Sequence, residues 1–275
     1  MTYEIVEQKI IEYWQRHARE SPDQLLEWLL VHKQAKPGII VNNKTAKGMS
    51  RMRLPFTYVP MAGDNVYVTW NEELANMLRG DGTPTIYNFD AQTYLGYPRC
   101  CASAWKLRQG ISNKHEYNLN KASQVHEMLT VVRACQGPNP KSLLVRMRDV
   151  RVVIRYKPCR PTCRSSEQLA KRYYDTLKKY TLITSWIFPP LCEQWKKECI
   201  LVLNNIMKKK GFLNKDGLYE ITKQMWESKN PIVDFGIDKK WMEENSMVEV
   251  VGKTEKAARD IRKATQLIQE VSCSF

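Results

Sequence analysis

The apolar positions at the start of the chain follow helical rhythms. Ile5, Ile10, Ile11 and Trp14 recur at near-helical spacing and predict a helix over residues 2–20. Ser21-Pro22-Asp23 opens a second helix, with the proline suited to its first turn, and Leu25, Leu26, Leu29 and Leu30 form its apolar face. Lys36-Pro37-Gly38 stops it. Ile39-Ile40-Val41 then reads as a short strand, whereas residues 42–53 are polar, basic and aperiodic and read as an exposed loop. Residues 53–60 and 65–70 read as extended segments around a turn at Met61-Ala62-Gly63-Asp64. A short helix is expected from Asn71 to Leu78, with Glu72 and Glu73 complementing its N-terminal dipole. Gly80-Asp81-Gly82-Thr83-Pro84 is a turn cluster, and residues 85–89 read as a strand.

From residue 90 the pattern changes character. A helix is expected over 99–109, a polar loop over 110–120 and a helix over 121–135, broken by Gly137-Pro138-Asn139-Pro140. Residues 142–147 and 150–156 read as strands, the second because Val152, Ile154 and Tyr156 alternate. Residues 159–163 form a turn and 164–180 a helix. Pro189-Pro190 starts a helix to about Lys210, closed by Gly211. Helices are also expected over 218–228, from Trp241, and over 254–271, where Ala257, Ile261, Ala264, Leu267, Ile268 and Val271 make an amphipathic stripe. No repeat of solenoid length is present.

These elements predict an α+β or α/β fold with a mixed sheet, helix-rich at both ends. They divide into an N-terminal α/β region over 1–89, a central region over 90–180 and a helical region over 181–275, with no obviously flexible linker. Composition narrows the class. Of 275 residues 43% are hydrophobic, enough for a real core and too many for a disordered chain. No run approaches the roughly 18 consecutive apolar residues of a membrane span. Glu4, Glu7 and Glu12 interrupt the first apolar pattern and argue against a signal peptide, so the expected setting is soluble and cytoplasmic.

Charge points to a partner. The 43 basic and 29 acidic side chains leave a net charge of +14. A field of that sign attracts polyanions, nucleic acid above all, with binding that weakens steeply in salt. The basic residues recur at Lys44, Lys47, Arg51 and Arg53, at Arg146, Arg148, Arg151 and Arg155, and at Lys208-Lys209-Lys210. The candidate nucleic-acid contacts are Arg99, Arg155, Lys157, Arg160, Arg164, Lys171 and Arg172. Tyr156, Tyr173 and Tyr174 lie among them as candidate stacking platforms. Trp14 and Trp28 sit on apolar helix faces and read as core.

The chemistry is concentrated in the cysteines, of which there are eight. Cys100 and Cys101 lie in Gly-Tyr-Pro-Arg-Cys-Cys; Cys159 and Cys163 lie in Tyr-Lys-Pro-Cys-Arg-Pro-Thr-Cys. Both pairs follow an expected strand, a tyrosine and a proline, and both stand where a helix begins. Helix N-termini and neighbouring Arg99, Lys157, Arg160 and Arg164 favour thiolates there. Two strand-to-helix junctions of one sheet would bring the four sulfurs together as a metal centre. The gaps within the pairs, zero and three residues, depart from the two-residue gap usual in zinc knuckles. An iron–sulfur cluster of 4Fe–4S type fits the irregular spacing at least as well as zinc. A redox-active thiol pair and inert buried cysteines are further readings. Cys135, Cys192 and Cys199 read as small buried hydrophobes, and Cys273 as part of an inconsequential tail.

The combination of Tyr-Pro-x-Cys-Cys and Pro-Cys-x-x-x-Cys resembles an uncharacterised, mainly archaeal protein family, over residues 90–180. This chain has Arg160 where a small polar residue is usual. The resemblance implies no activity. Pro-Cys-x-x-x-Cys before a helix is also similar to the zinc-binding half of nucleobase deaminases. That class needs His-x-Glu, and here His115-Glu116 and His126-Glu127 lack the intervening residue. The expected function is therefore an iron–sulfur enzyme acting on nucleic acid, RNA or a modified nucleotide, through a Cys100, Cys101, Cys159 and Cys163 centre in a basic cleft. The alternatives are a nucleic-acid-binding module with structural zinc, and a deaminase-like zinc hydrolase.

Overall fold

A computed structural model describes residues 3–16, 22–80, 82, 84–85, 89–114, 131–132, 134–135, 138–156, 158–159, 163–207 and 255–273. The chain divides into two units, residues 1–98 with 169–187, and residues 99–168 with 188–275. Its architecture is α+β: helices with one three-stranded sheet among the described residues. None of the described helices is long and apolar enough to cross a membrane.

In the first unit, α1 (Tyr3–Arg16) packs on α2 (Pro22–His32). Of the expected stripe of α1, Ile10 is buried and Ile11 and Trp14 are half-buried, but Ile5 is 47% exposed and Val6 is buried in its place. From α2, Leu25, Leu26, Trp28, Leu29 and Leu30 are buried. The strands β1 (Gly38–Asn42), β2 (Thr57–Pro60) and β3 (Asn65–Thr69) form a sheet in the order β1-β3-β2. Both pairings are antiparallel, with Ile40 opposite Tyr67 and Tyr58 opposite Val68. The expected mixed sheet is thus antiparallel among the described residues, because β2 and β3 form a hairpin across the Met61–Asp64 turn. Gly38 is required where it stands, since any β-carbon there would run into the Tyr67 ring.

Residues 43–51, expected as loop, form helix α3 (Asn43–Arg51). Asn42 supplies the cap, its side-chain oxygen accepting the Thr45 amide at 2.8 Å. Thr45, Ala46 and Met49 give the helix a narrow buried side that a polar composition conceals. After α4 (Glu72–Gly80), α5 (Ala91–Leu95) is capped by Asp90 and ends on Gly96 at φ 69°. Of the strand expected over 85–89, residues 86–88 lie outside the described residues.

The second unit holds α6 (Arg99–Lys114), α7 (Pro140–Ile154), the first turn of α8 (Arg164–Leu177), α9 (Phe188–Met207) and α10 (Glu255–Glu270). The two strands expected over 142–156 are the single helix α7. Pro140 occupies its first turn, and Leu144, Met147, Val150 and Ile154 fall on one side at steps of three and four. Helices α7, α9 and α10 share one core containing Leu144, Met147, Trp195, Cys199, Leu203, Ile261, Ala264 and Ile268. A disulfide joins Cys192 of α9 to Cys273 beyond α10, 81 residues apart in sequence. This corrects the reading of Cys192 as a plain hydrophobe and of Cys273 as inconsequential. The helices expected over 218–228 and at Trp241, and most of that over 121–135, lie outside the described residues.

Candidate metal centre

The four motif cysteines meet in the second unit. Cys100 and Cys101 stand in the first turn of α6, and Cys163 immediately precedes α8. The Cys163 carbonyl accepts the Glu167 amide at 2.9 Å, the first hydrogen bond of that helix. Two helix N-termini therefore direct partial positive charge at the sulfurs. The junctions are helix-borne, not strand-to-helix as expected, because α7 replaces the strand before Cys159.

A short connection returns Cys159 to the other three. Helix α7 ends at Arg155, which takes a left-handed conformation at φ 60° and reverses the chain. The Arg151 guanidinium donates to the Tyr156 carbonyl at 2.6 Å and fixes the exit. The Tyr156 hydroxyl lies 3.0 Å from the Ser166 hydroxyl, which lies 3.1 Å from the Cys101 sulfur. The Cys159 amide donates to the same sulfur at 3.3 Å.

The four sulfurs all lie within 4.8 Å of one another. Cys100 is 3.9 Å from Cys101 and 3.6 Å from Cys163, and Cys101 is 3.7 Å from Cys163. Cys101, Cys159 and Cys163 are buried, and Cys100 is partly exposed. Such a group can hold a metal ion. Without one, the thiols share protons unevenly. Hydrogen bonds from Cys101 and then Cys159 hold Cys163 well below the usual thiol value. The hydrogen bond to Cys101, followed by that to Cys163 and burial, pushes Cys159 well up. Cys101 is pulled down by its hydrogen bond with Cys159, but that with Cys163 and burial together carry it up to about 12.

The other cysteines stand apart. Burial pushes the Cys135 thiol up to about 11, partly offset by the charge of Lys263, and Cys199 is buried in the helical core. Both are inert by position.

The basic candidates separate into three groups. Arg99, Arg164, Lys171 and Arg172 are exposed, with Lys171 paired to Asp175 at 2.9 Å. Arg155 is half-buried at the helix end, and Lys157 and Arg160 lie outside the described residues. Three arginines of the run over 146–155 serve the fold itself. Arg146 pairs with Glu167 at 2.7 Å, Arg148 is 3% exposed against Asp149, and Arg151 holds the Tyr156 carbonyl. Tyr156 and Tyr173 are buried and cannot stack on a ligand, while Tyr174 is half-buried. His115, Glu116, His126 and Glu127 lie outside the described residues. Sequence reasoning missed the supporting hydroxyl of Ser166, for which a serine in a helix's first turn gives no distinguishing signal.

No protein-family model, curated protein or solved structure matches the chain.

Proposed function

We propose that the chain is a nucleic-acid-binding protein whose second unit is pinned by one zinc ion held by Cys100, Cys101, Cys159 and Cys163. The sulfur separations carry this reading. Four sulfurs placed tetrahedrally around one ion at ~2.3 Å stand about 3.8 Å apart. The separations among Cys100, Cys101 and Cys163, 3.6–3.9 Å, match that edge, and the Cys159 sulfur lies within 4.8 Å of all three. In a 4Fe–4S cluster each thiolate caps a different iron at a corner of a cube, so the sulfurs would have to spread apart. Four sulfurs also close the coordination sphere. That favours a structural ion over a deaminase-like site, which keeps one position for water. That the archaeal motif family shares this four-sulfur core is part of the same proposal.

The nucleic-acid part rests on charge. The net +14 is carried partly by exposed residues with no ion pair among the described residues, such as Lys47, Arg51, Arg53, Arg99, Arg164 and Arg172. Lys47 and Arg51 lie on the exposed side of α3, opposite its buried Thr45, Ala46 and Met49. Trp186, 70% exposed, adds an aromatic face of the kind on which bases stack.

Anaerobic purification with zinc, iron and sulfide quantification tests the metal. One zinc per chain without sulfide, lost in Cys159→Ala, is the expected result. Iron with matching sulfide would restore the cluster enzyme. Binding of a single-stranded RNA across a salt series tests the partner, with a steep linear fall in log affinity against log salt expected. Salt-independent or absent binding would remove the nucleic-acid reading.

A further inference from the structure

The centre is not symmetric. Cys101, Cys159 and Cys163 are 1%, 2% and 3% exposed, while Cys100 is partly exposed. The Cys101 sulfur lies within hydrogen-bond distance of the Ser166 hydroxyl and accepts the Cys159 amide. Each such bond draws off charge that an electrophile would otherwise meet. Among the described residues, the Cys100 sulfur is within hydrogen-bond distance only of the Cys101 and Cys163 sulfurs. Cys100 is therefore the one partly exposed cysteine of the four, and among the described residues no N–H or O–H donor reaches its sulfur.

Charge at the surface adds selectivity. Arg99 precedes Cys100 and Arg164 follows Cys163, and both side chains are exposed. Neither forms an ion pair among the described residues. Four thiolates around a divalent cation leave an excess of negative charge on the sulfur, which keeps it nucleophilic. The two guanidinium groups would draw a negatively charged reactant toward it.

We propose that Cys100 is the reactive sulfur of the centre, a thiolate that accepts alkyl groups from soft, negatively charged electrophiles. The inference rests on reading the four cysteines as one metal site. In the step, the Cys100 sulfur attacks the electrophilic carbon and a carbon–sulfur bond forms. The bond to the leaving group breaks, and that group departs with its electron pair. Coordination has already removed the proton from sulfur, so none is released, and no oxidant or reductant is consumed.

The test treats the purified, metal-loaded protein with iodoacetate or iodoacetamide at neutral pH. The adduct is located by peptide mass mapping, and zinc is measured in the same sample. The expected first adduct is a single carboxymethyl group on Cys100. The rate ratio of iodoacetate to iodoacetamide should exceed that of a small free thiol by about tenfold. Arg99→Gln combined with Arg164→Gln should bring the ratio back to that of the free thiol while Cys100 remains the site. In Cys100→Ser the fast adduct should vanish without transfer to another cysteine. A first adduct on Cys101, Cys159 or Cys163, or no adduct on Cys100, overturns the proposal. A ratio equal to that of the free thiol overturns its anionic preference. Protein that holds no metal at the four cysteines overturns the metal reading and this inference with it, whereas a first adduct away from Cys100 in zinc-loaded protein overturns the inference alone, so the two failures are distinct.

Discussion

Ser166 is a buried hydroxyl with hydrogen-bond contacts to the Tyr156 hydroxyl and to the Cys101 and Cys163 sulfurs. It orients Cys101 as the outer hydrogen bonds of metal sites orient their ligands. On the proposed zinc reading, Ser166→Ala should weaken metal retention by about 10- to 100-fold without unfolding the unit. Competition with a chromophoric chelator reads this directly; unchanged retention would make the hydroxyl mere packing. Gly96 carries a different constraint. Its φ of 69° disfavours any side chain, and an added β-carbon would stand 2.8 Å from the Pro37 ring. Gly96→Ala should cost about 1–3 kcal/mol in the urea unfolding of the first unit.

At the scale of elements, α1 and α2 are joined by charge as well as by apolar contact. The Glu7 carboxylate receives the Lys33 ammonium and lies 4.0 Å from His32. Burial pushes the Glu7 carboxyl up. Hydrogen bonds from Lys33 and Tyr180, with the charges of Lys33 and His32, more than reverse that and leave it below its usual value. A carboxyl depressed in the folded state contributes stability above its unfolded pKa and loses it as pH falls through the folded one. Glu7→Gln should therefore be less stable than wild type at pH 7, with the gap closing below about pH 4. Urea unfolding at the two pH values checks the sign; a gap that widens in acid would refute it.

The same scale shows why the sequence was only partly legible. Strong stripes such as Leu25, Leu26, Leu29 and Leu30 announced α2, and the amphipathic pattern of α10 was read to within a residue. Helix α7 was misread because Val152 and Ile154 satisfy a period of two. The longer spacing of Leu144, Met147, Val150 and Ile154 is visible only when the run from Pro140 is taken whole. Helix α3 was missed because its buried side is only Thr45, Ala46 and Met49. The four motif cysteines were legible from their context at helix starts, and they meet even though the elements between them differ from expectation. What sequence could not show was the tertiary part: Ser166 behind Cys101, and the distant pairing of Cys192 with Cys273.

At the scale of the whole molecule, the second unit combines two cysteine chemistries. Four sulfurs stay unbonded to one another at the centre, while Cys192 and Cys273 are joined. Cys273→Ser should destabilise this unit by about 2–4 kcal/mol, read as a lower urea midpoint, and leave the metal content unchanged. The pairing has a further, topological consequence. Residues 192–273 form a covalent ring that includes most of α9 and all of α10. A single protease nick anywhere inside that ring separates no fragment. The nicked chain should migrate near full length on a gel run without reductant and fall into two pieces once reductant is added.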